Sequence, residues 1–273
     1  MHVSPAPPAP EGNRNLAVTD YEYTGLMARA WDLLRGDTSG WADRAFYLEM
    51  IRRHGQPVLD VGCGTGRLLL DYLAQGIQIE GVDNSPEMLA LCQEKARRLG
   101  LSPALYGQRM ETLALPRTYR TILIPSSSLQ LIVEPHQAEQ ALRRLYAHLE
   151  PGGALVASVM TLWRPGDPLE SEWETSDQRP EDGATVRRVG HSRYDPASEC
   201  EHTQDLYQVL VGGKVVAEER HARSPATRSY TQAQACTLLE GAGFAEVDLY
   251  HEFTPEPARS EDILFVAVGR RAA

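Results

Sequence analysis

The sequence predicts an α/β fold: a seven-stranded, mostly parallel sheet with helices on both faces, plus an antiparallel β insertion late in the sheet. Three observations carry this. From residue 57 onward, short apolar runs alternate with amphipathic stretches of helical length, the rhythm of successive βαβ units. A glycine cluster, GCGTG, stands where the first apolar run hands over to the next element. Near residue 161 the rhythm changes, and strand-like segments follow one another without helices until about 229.

Taken in order, residues 19–54 are helical by pattern. Leu26, Met27, Ala30, Leu33 and Leu34 recur at three- and four-residue spacing, as do Phe46, Tyr47, Met50 and Ile51 after the break at GDTSG. Residues 57–61 form a first strand and 67–75 a helix closed by Gly76. A second strand over 77–82 leads into a helix that runs to Arg98. Ser85 is its N-cap, and Pro86 sits in the first turn, where a missing N–H costs nothing. Strands follow at 105–106 and 121–125, then a helix over 135–149 ended by a turn at Pro151-Gly152-Gly153, then a strand over 154–160.

Antiparallel strands are expected at 185–194, 200–211 and 214–221, with Gly212-Gly213 as the hairpin turn between the last two. Thr231 caps a helix over 231–240, and strands at 244–250 and 263–269 complete the sheet. The domain reading is a Pro-rich, disordered tail over 1–18 and a single domain over 19–273, with the β-rich insertion at about 165–229.

Composition narrows the function. Lys plus Arg is 27 against 37 Asp plus Glu, a net charge of -10, which argues against a nucleic-acid partner because such affinity rests on clustered cations. The basic clusters Arg52-Arg53, Arg97-Arg98 and Arg187-Arg188 are only pairs. Cys63, Cys92, Cys200 and Cys236 are scattered without a CxxC pair, so neither a disulfide framework nor a zinc site is expected. No metal constellation stands out. No apolar run approaches the ~18 residues of a membrane span, and the opening residues lack the layout of a secretory signal. A reduced, cytoplasmic setting is the expectation.

The glycines at 62, 64 and 66 are one residue tighter than the GxGxxG of a dinucleotide loop, and Asp60 precedes them. An acid at a strand tip repels a pyrophosphate and suits an ammonium group. Asp83 ends the second strand 21 residues after Gly62, where a carboxylate can accept both hydroxyls of a ribose. A surface turn would also use an aspartate there.

Together, DVGCGTG and GVDNSPEML resemble the class I S-adenosylmethionine-dependent methyltransferases, whose fold is Rossmann-like. The resemblance covers roughly residues 20–165 and resumes over 229–270. It implies S-adenosyl-L-methionine as cofactor and S-adenosyl-L-homocysteine as product. It implies that Gly62, Cys63, Gly64 and Gly66 let backbone approach the methionine part. Asp60 would sit near the amine, Asp83 would hold the ribose, and Asn84 and Met88 would border ribose and adenine. Where such enzymes commonly carry an acid for the adenine amine, this sequence has Arg109. Gln108, Glu111 or the backbone of Met110 would then substitute. Pro125 and Ser126 would lie under the cofactor.

Methyl transfer from a sulfonium is an in-line displacement whose leaving group needs no proton. No catalytic signature is required, and His251, at the end of the sixth strand, is the candidate general base. Candidates for the acceptor pocket are Tyr21, Tyr23 and Trp31 on the N-terminal helix, Trp163 after the fifth strand, and Arg228 and Tyr230 before the last helix. Helix-face aromatics are also common as core. The layout, with Ser126-Ser127-Ser128 and a late β insertion, resembles small-molecule N-methyltransferases acting on amino sugars. That resemblance implies extra strands that cover the pocket or form a homodimer contact. The leading function is methyl transfer to a small-molecule amine. An O-methyltransferase, a non-catalytic nucleoside-binding scaffold and a nicotinamide dehydrogenase are the alternatives.

Overall fold

The computed structural model describes residues 23–273. The tail expected over 1–18, and Tyr21, lie outside the described residues. The chain runs α1 (Gly25–Arg35), α2 (Ala42–His54), β1 (Val58–Val61), α3 (Arg67–Ala74), β2 (Ile79–Asp83), α4 (Pro86–Arg98), β3 (Leu105–Gly107), β4 (Tyr119–Ile124), α5 (Pro135–Ala147) and β5 (Leu149–Met160). It continues through β6 (Glu170–Gln178), β7 (Thr185–Asp195), β8 (Cys200–Val211), β9 (Lys214–Arg228), α6 (Gln232–Gly241), β10 (Glu246–His251) and β11 (Leu264–Arg270).

Seven strands form one sheet in the order β10-β11-β5-β4-β1-β2-β3. Pairings from β5 across to β3 are parallel, and β11 is antiparallel to both its neighbours. Strands of such a sheet are covered on both faces, so they read as apolar runs. Val58, Leu123, Val156 and Val266 point to one face, packed under Phe46, Tyr47 and Ile51 of α2, Leu69 of α3 and Cys92 of α4. Leu59, Ile122, Leu155 and Ala267 point to the other, under Leu142 and Leu145 of α5 and Leu239 of α6. This is the expected α/β architecture with helices on both sides.

Local signals hold at the helix starts. Ser85 Oγ accepts the Met88 N–H at 3.2 Å, with Pro86 in the first turn. Thr231 and Gln234 form a reciprocal capping box on α6. The region 151–153 departs from the expected turn. β5 already begins at Leu149, which pairs with Tyr119, and a register shift precedes the Thr121–Ala154 pair. Gly152 supplies φ 72° for that irregularity, and a Cβ at Gly153 would lie 2.9 Å from two carbonyl oxygens. The glycines make a bulge inside a strand.

The second sheet is an antiparallel meander, β6-β7-β8-β9. Gly212 and Gly213, both at positive φ, turn β8 into β9. Glu170, Glu172, Glu174 and Asp177 lie on the exposed edge strand β6. Val186, Tyr207 and Val209 on the inner side pack against Leu26, Met27 and Ala30 of α1. α1 is thereby held between the second sheet and α4, and that placement builds a cavity.

Candidate active site

β1 stops at Val61 because the next residues need backbone angles that side chains resist. Gly62, Gly64 and Gly66 have φ of 71°, 54° and 84°. The Gly62 and Cys63 N–H groups donate back to Val82 O at 2.8 and 3.1 Å, binding the loop to the end of β2. Gly66 serves packing. A Cβ there would lie 2.6 Å from Cys92 Sγ and 2.8 Å from Leu70 Cγ, and Gly66 does not line the cavity. Its expected role beside the methionine part of a cofactor therefore has no counterpart in the geometry.

Asp83 closes the loop from the other side. One carboxylate oxygen accepts the Gly64 N–H at 2.9 Å and the other accepts the Ser85 N–H at 2.8 Å. Each oxygen keeps a lone pair for a further donor. Burial raises its pKa, and the backbone N–H groups pull against that. Asp60 is 1% exposed, and its Oδ1 has no hydrogen-bond partner among the described residues. Burial holds its pKa up at about 7, against the lowering effect of the Arg67 guanidinium.

A cavity of about 1320 Å³ opens over these groups. It is lined by Asp60, Gly62, Cys63, Gly64, Asp83, Asn84 and Met88, then by Arg109, Met110, Pro125 and Ser126. Met88 is 2% exposed and fixed by α4. At the far end Arg109 pairs with Glu111 at 2.8 Å. Both amide atoms of Gln108 are taken by the Ala114 backbone, at 3.1 and 2.8 Å, leaving Glu111 as the carboxylate that faces the cavity. Ser126 and Ser127 both adopt positive φ. The Ser127 N–H donates to Ser158 Oγ at 3.0 Å and Ser128 Oγ donates to Pro125 O at 2.7 Å, which hold that turn.

Of the acceptor-pocket candidates, Tyr23 and Trp31 line the cavity. Trp163, Arg228, Tyr230 and His251 do not. The Trp163 ring stacks on Tyr194 with centroids 5.4 Å apart, and its indole N–H donates to Asp167 O. Arg228 Nε donates to Val133 O at 2.5 Å, and its guanidinium lies 3.5 Å from Glu199. Tyr230 is 7% exposed and packs with Val159, Ala235 and Phe265. His251 Nδ1 lies 2.8 Å from Asp262 Oδ2 on β10. All four lie in the scaffold and do not line the crevice.

The structure brings in residues that the sequence reading did not select. Thr203 and Asp205 of β8 and Glu219, His221 and Arg223 of β9 form a polar wall. Glu219, His221, Arg223 and Pro225 are half-buried while the residues between them are exposed, a period of two that marks one face of a strand. Polar residues at the inward positions were the available signal. Arg35 also lines the cavity, between the rings of Trp31 and Trp41 at 4.8 and 4.9 Å. Arg67 lies over the same Trp41 at 5.2 Å and is paired with Asp43. Among the described residues no carboxylate lies within ion-pair distance of Arg35, and burial lowers its pKa. Finally, Gly25 N–H donates to Glu87 at 2.7 Å and Leu26 N–H to Glu219 at 2.5 Å. The start of α1 is thus fastened to α4 and to β9.

The sequence profile of a methyltransferase domain matches residues 58–153, which span the glycine loop to the β5 bulge. A dTDP-3-amino-3,6-dideoxy-alpha-D-glucopyranose N,N-dimethyltransferase of Streptomyces fradiae is 29% identical over 230 residues, 82% of this chain and 86% of that protein. The dTDP-3-amino-3,4,6-trideoxy-alpha-D-glucopyranose N,N-dimethyltransferase of Streptomyces venezuelae is 30% identical over half of each chain, 50% and 54%. Among solved structures, an S-adenosylmethionine-dependent methyltransferase from Clostridium acetobutylicum superposes with a TM-score of 0.73 at 18% identity, covering 90% of this chain and 97% of that one. The sugar N-methyltransferase KedS8 from Streptoalloteichus does so with 0.68 at 21%, covering all of both. A glycine elbow with an acid at each neighbouring strand tip, and a methyltransferase-domain profile over residues 58–153, make this chain similar to the S-adenosylmethionine-dependent methyltransferases, among them enzymes named for amino sugars.

Proposed function

We propose that the enzyme methylates a small-molecule amine. The cofactor would lie along the tips of β1 and β2, and the acceptor under β8 and β9. The single observation that supports this most is Asp60 Oδ1, a buried carboxylate oxygen without a hydrogen-bond partner among the described residues, on a residue that lines the cavity. Such an atom is costly unless a cation meets it, and the methionine ammonium of S-adenosylmethionine is one.

The other groups fit the rest of that molecule. Arg35, set between two indoles, would hold the carboxylate. Asp83 would accept from the ribose diol with its spare lone pairs. Met88 would border the adenine and Glu111 would accept from its amine, where Arg109 cannot. The cofactor supplies an electrophilic methyl group on a sulfonium. The protein supplies position: α1 with Tyr23 and Trp31 excludes water from one side, and the serine turn at 126–128 shapes the other.

Amine as the acceptor class is supported by the Streptomyces relatives, whose names specify N,N-dimethylation of amino sugars. We read residues 19–273 as one methyltransferase domain in which the second sheet is the roof of the site. The test has two stages. Calorimetry with S-adenosylhomocysteine should show binding; no heat would end the cofactor assignment. Mass spectrometry on a panel of dTDP-linked 3-amino sugars, free amino sugars and phenols should then find methyl groups on nitrogen. Methylation confined to oxygen would refute the acceptor class.

A further inference from the structure

We propose that His221 takes the proton from the bound acceptor amine, with Glu219 beside it to hold the resulting imidazolium. This rests on the amine reading above. An amine that enters as an ammonium has no lone pair and cannot attack. Something in the acceptor half must receive its proton.

The described residues leave one suitable group there. Asp205 is 5% exposed and accepts from Arg188 Nε at 2.7 Å. Glu219 caps α1 through the Leu26 N–H and faces Arg29 at 3.5 Å. Glu218 accepts from Gln208, and Glu87 accepts from Gly25. His221, the one histidine among the described cavity-lining residues, differs from all of these. Its Nε2 is shut off from bulk solvent and has no hydrogen-bond partner among the described residues. Glu219 Oε2 lies 3.4 Å away, outside hydrogen-bond geometry but close enough to stabilise a positive ring. Tyr207 meets the imidazole edge-on at 5.4 Å and fixes its plane.

Charged and polar groups face the ring from several elements. From β8 the facing groups are Asp205, directly opposite His221 in the strand register, and Tyr207. From β9 they are Glu219 and Arg223, from β7 Arg188, and from α1 Arg29. Glu219 adjoins the ring and Asp205 stands opposite it in register, each paired with an arginine. An imidazole that lines a cavity and is backed by a carboxylate is the arrangement of a general base.

The step balances simply. The acceptor ammonium gives one proton to the His221 imidazole, leaving a neutral amine and an imidazolium. The amine lone pair forms the new nitrogen–carbon bond as the carbon–sulfur bond breaks, and that bond's electron pair stays on sulfur. The product leaves as a methylated ammonium, and His221 returns its proton to solvent.

The experiment compares wild type with His221→Gln and His221→Ala, using the amine that wild type methylates in the acceptor panel. Affinity for S-adenosylhomocysteine should stay within about twofold. Methyl transfer near pH 7 should fall on the order of 100-fold. The deficit should shrink to under about tenfold near pH 9.5, where solvent already deprotonates the amine. Added imidazole should restore part of the His221→Ala rate. A loss that is the same at every pH, or no loss, overturns the assignment while leaving the amine reading intact. If wild type methylates no amine, the amine reading falls and this assignment with it.

Discussion

Asp83 and Gly64 are joined across the crevice: the Asp83 Oδ2 accepts the Gly64 N–H at 2.9 Å, so the tip of β2 sets the position of the glycine elbow. The acid that would meet the ribose also shapes the loop that would meet the methionine part. Asp83→Ala should therefore weaken S-adenosylhomocysteine binding by roughly 1–3 kcal/mol, the scale of charge-assisted hydrogen bonds. Unchanged calorimetric affinity would take Asp83 out of the site.

Asp60 gives a prediction in pH. Its folded pKa of about 7 lies above the ordinary value near 3.9, so folding favours the protonated form. The contribution of Asp60 to stability is therefore fully present below about pH 4 and is lost as pH rises through about 7. Asp60→Asn should raise the melting temperature of the ligand-free enzyme at pH 8, with a gain on the order of a few kcal/mol. The same change should weaken S-adenosylhomocysteine binding, and wild-type affinity should fall as pH drops below about 7. Fluorimetric melts together with calorimetry at two pH values check both signs. A variant destabilised at pH 8 would refute the account.

The glycines should separate by experiment. Gly66→Ala combines positive φ with a Cβ 2.6 Å from Cys92 Sγ, and should cost about 2–5 kcal/mol in a urea melt. Gly64→Ala leaves its Cβ in ordinary contact, 3.6 Å from Met88 Cε. It should cost about 1–2 kcal/mol in stability through φ alone, while its main effect falls on cofactor affinity. Equal stability losses would contradict this division.

Arg35 should behave as a ligand-binding residue and Trp163 as a scaffold residue. Arg35→Met keeps the stem between the two indoles and removes the charge. It should reduce S-adenosylhomocysteine affinity about 10- to 100-fold, the scale of a charged hydrogen bond. Trp163→Phe and His251→Gln, both outside the cavity, should leave affinity and turnover within about threefold. A large loss of turnover in either would return that residue to the site.

What was legible in the sequence was what lies close along the chain. Asp60, the glycines and Asp83 belong to one strand–loop–helix–strand unit, so their spacing fixes their meeting. The caps at Ser85 and Thr231 are local for the same reason. The roof was not legible because Asp205 and His221 meet only through the β8–β9 register. Arg35 needs Trp41 and, beyond it, Arg67 before its place is defined. Trp163 follows a strand tip in sequence, but Tyr194 offers its ring a stacking partner elsewhere. Pro151-Gly152-Gly153 has the composition of a turn, yet pairing with β4 keeps it within a strand.

One consequence of the strand order concerns synthesis. β11 is the last strand in chain order, yet it sits between β5 and β10 and not at a margin. Until it arrives, β10 has no neighbour, and a slot as wide as one strand stays open beside β5. Phe265, Val266, Ala267 and Val268 fill that slot, each at most 1% exposed. A growing chain can assemble the five parallel strands early, but translation must pass residue 270 before β10 can join them. Clipping off that strand would leave β10 without a partner and bare the edge of β5, whereas loss of β3 would only trim the opposite rim.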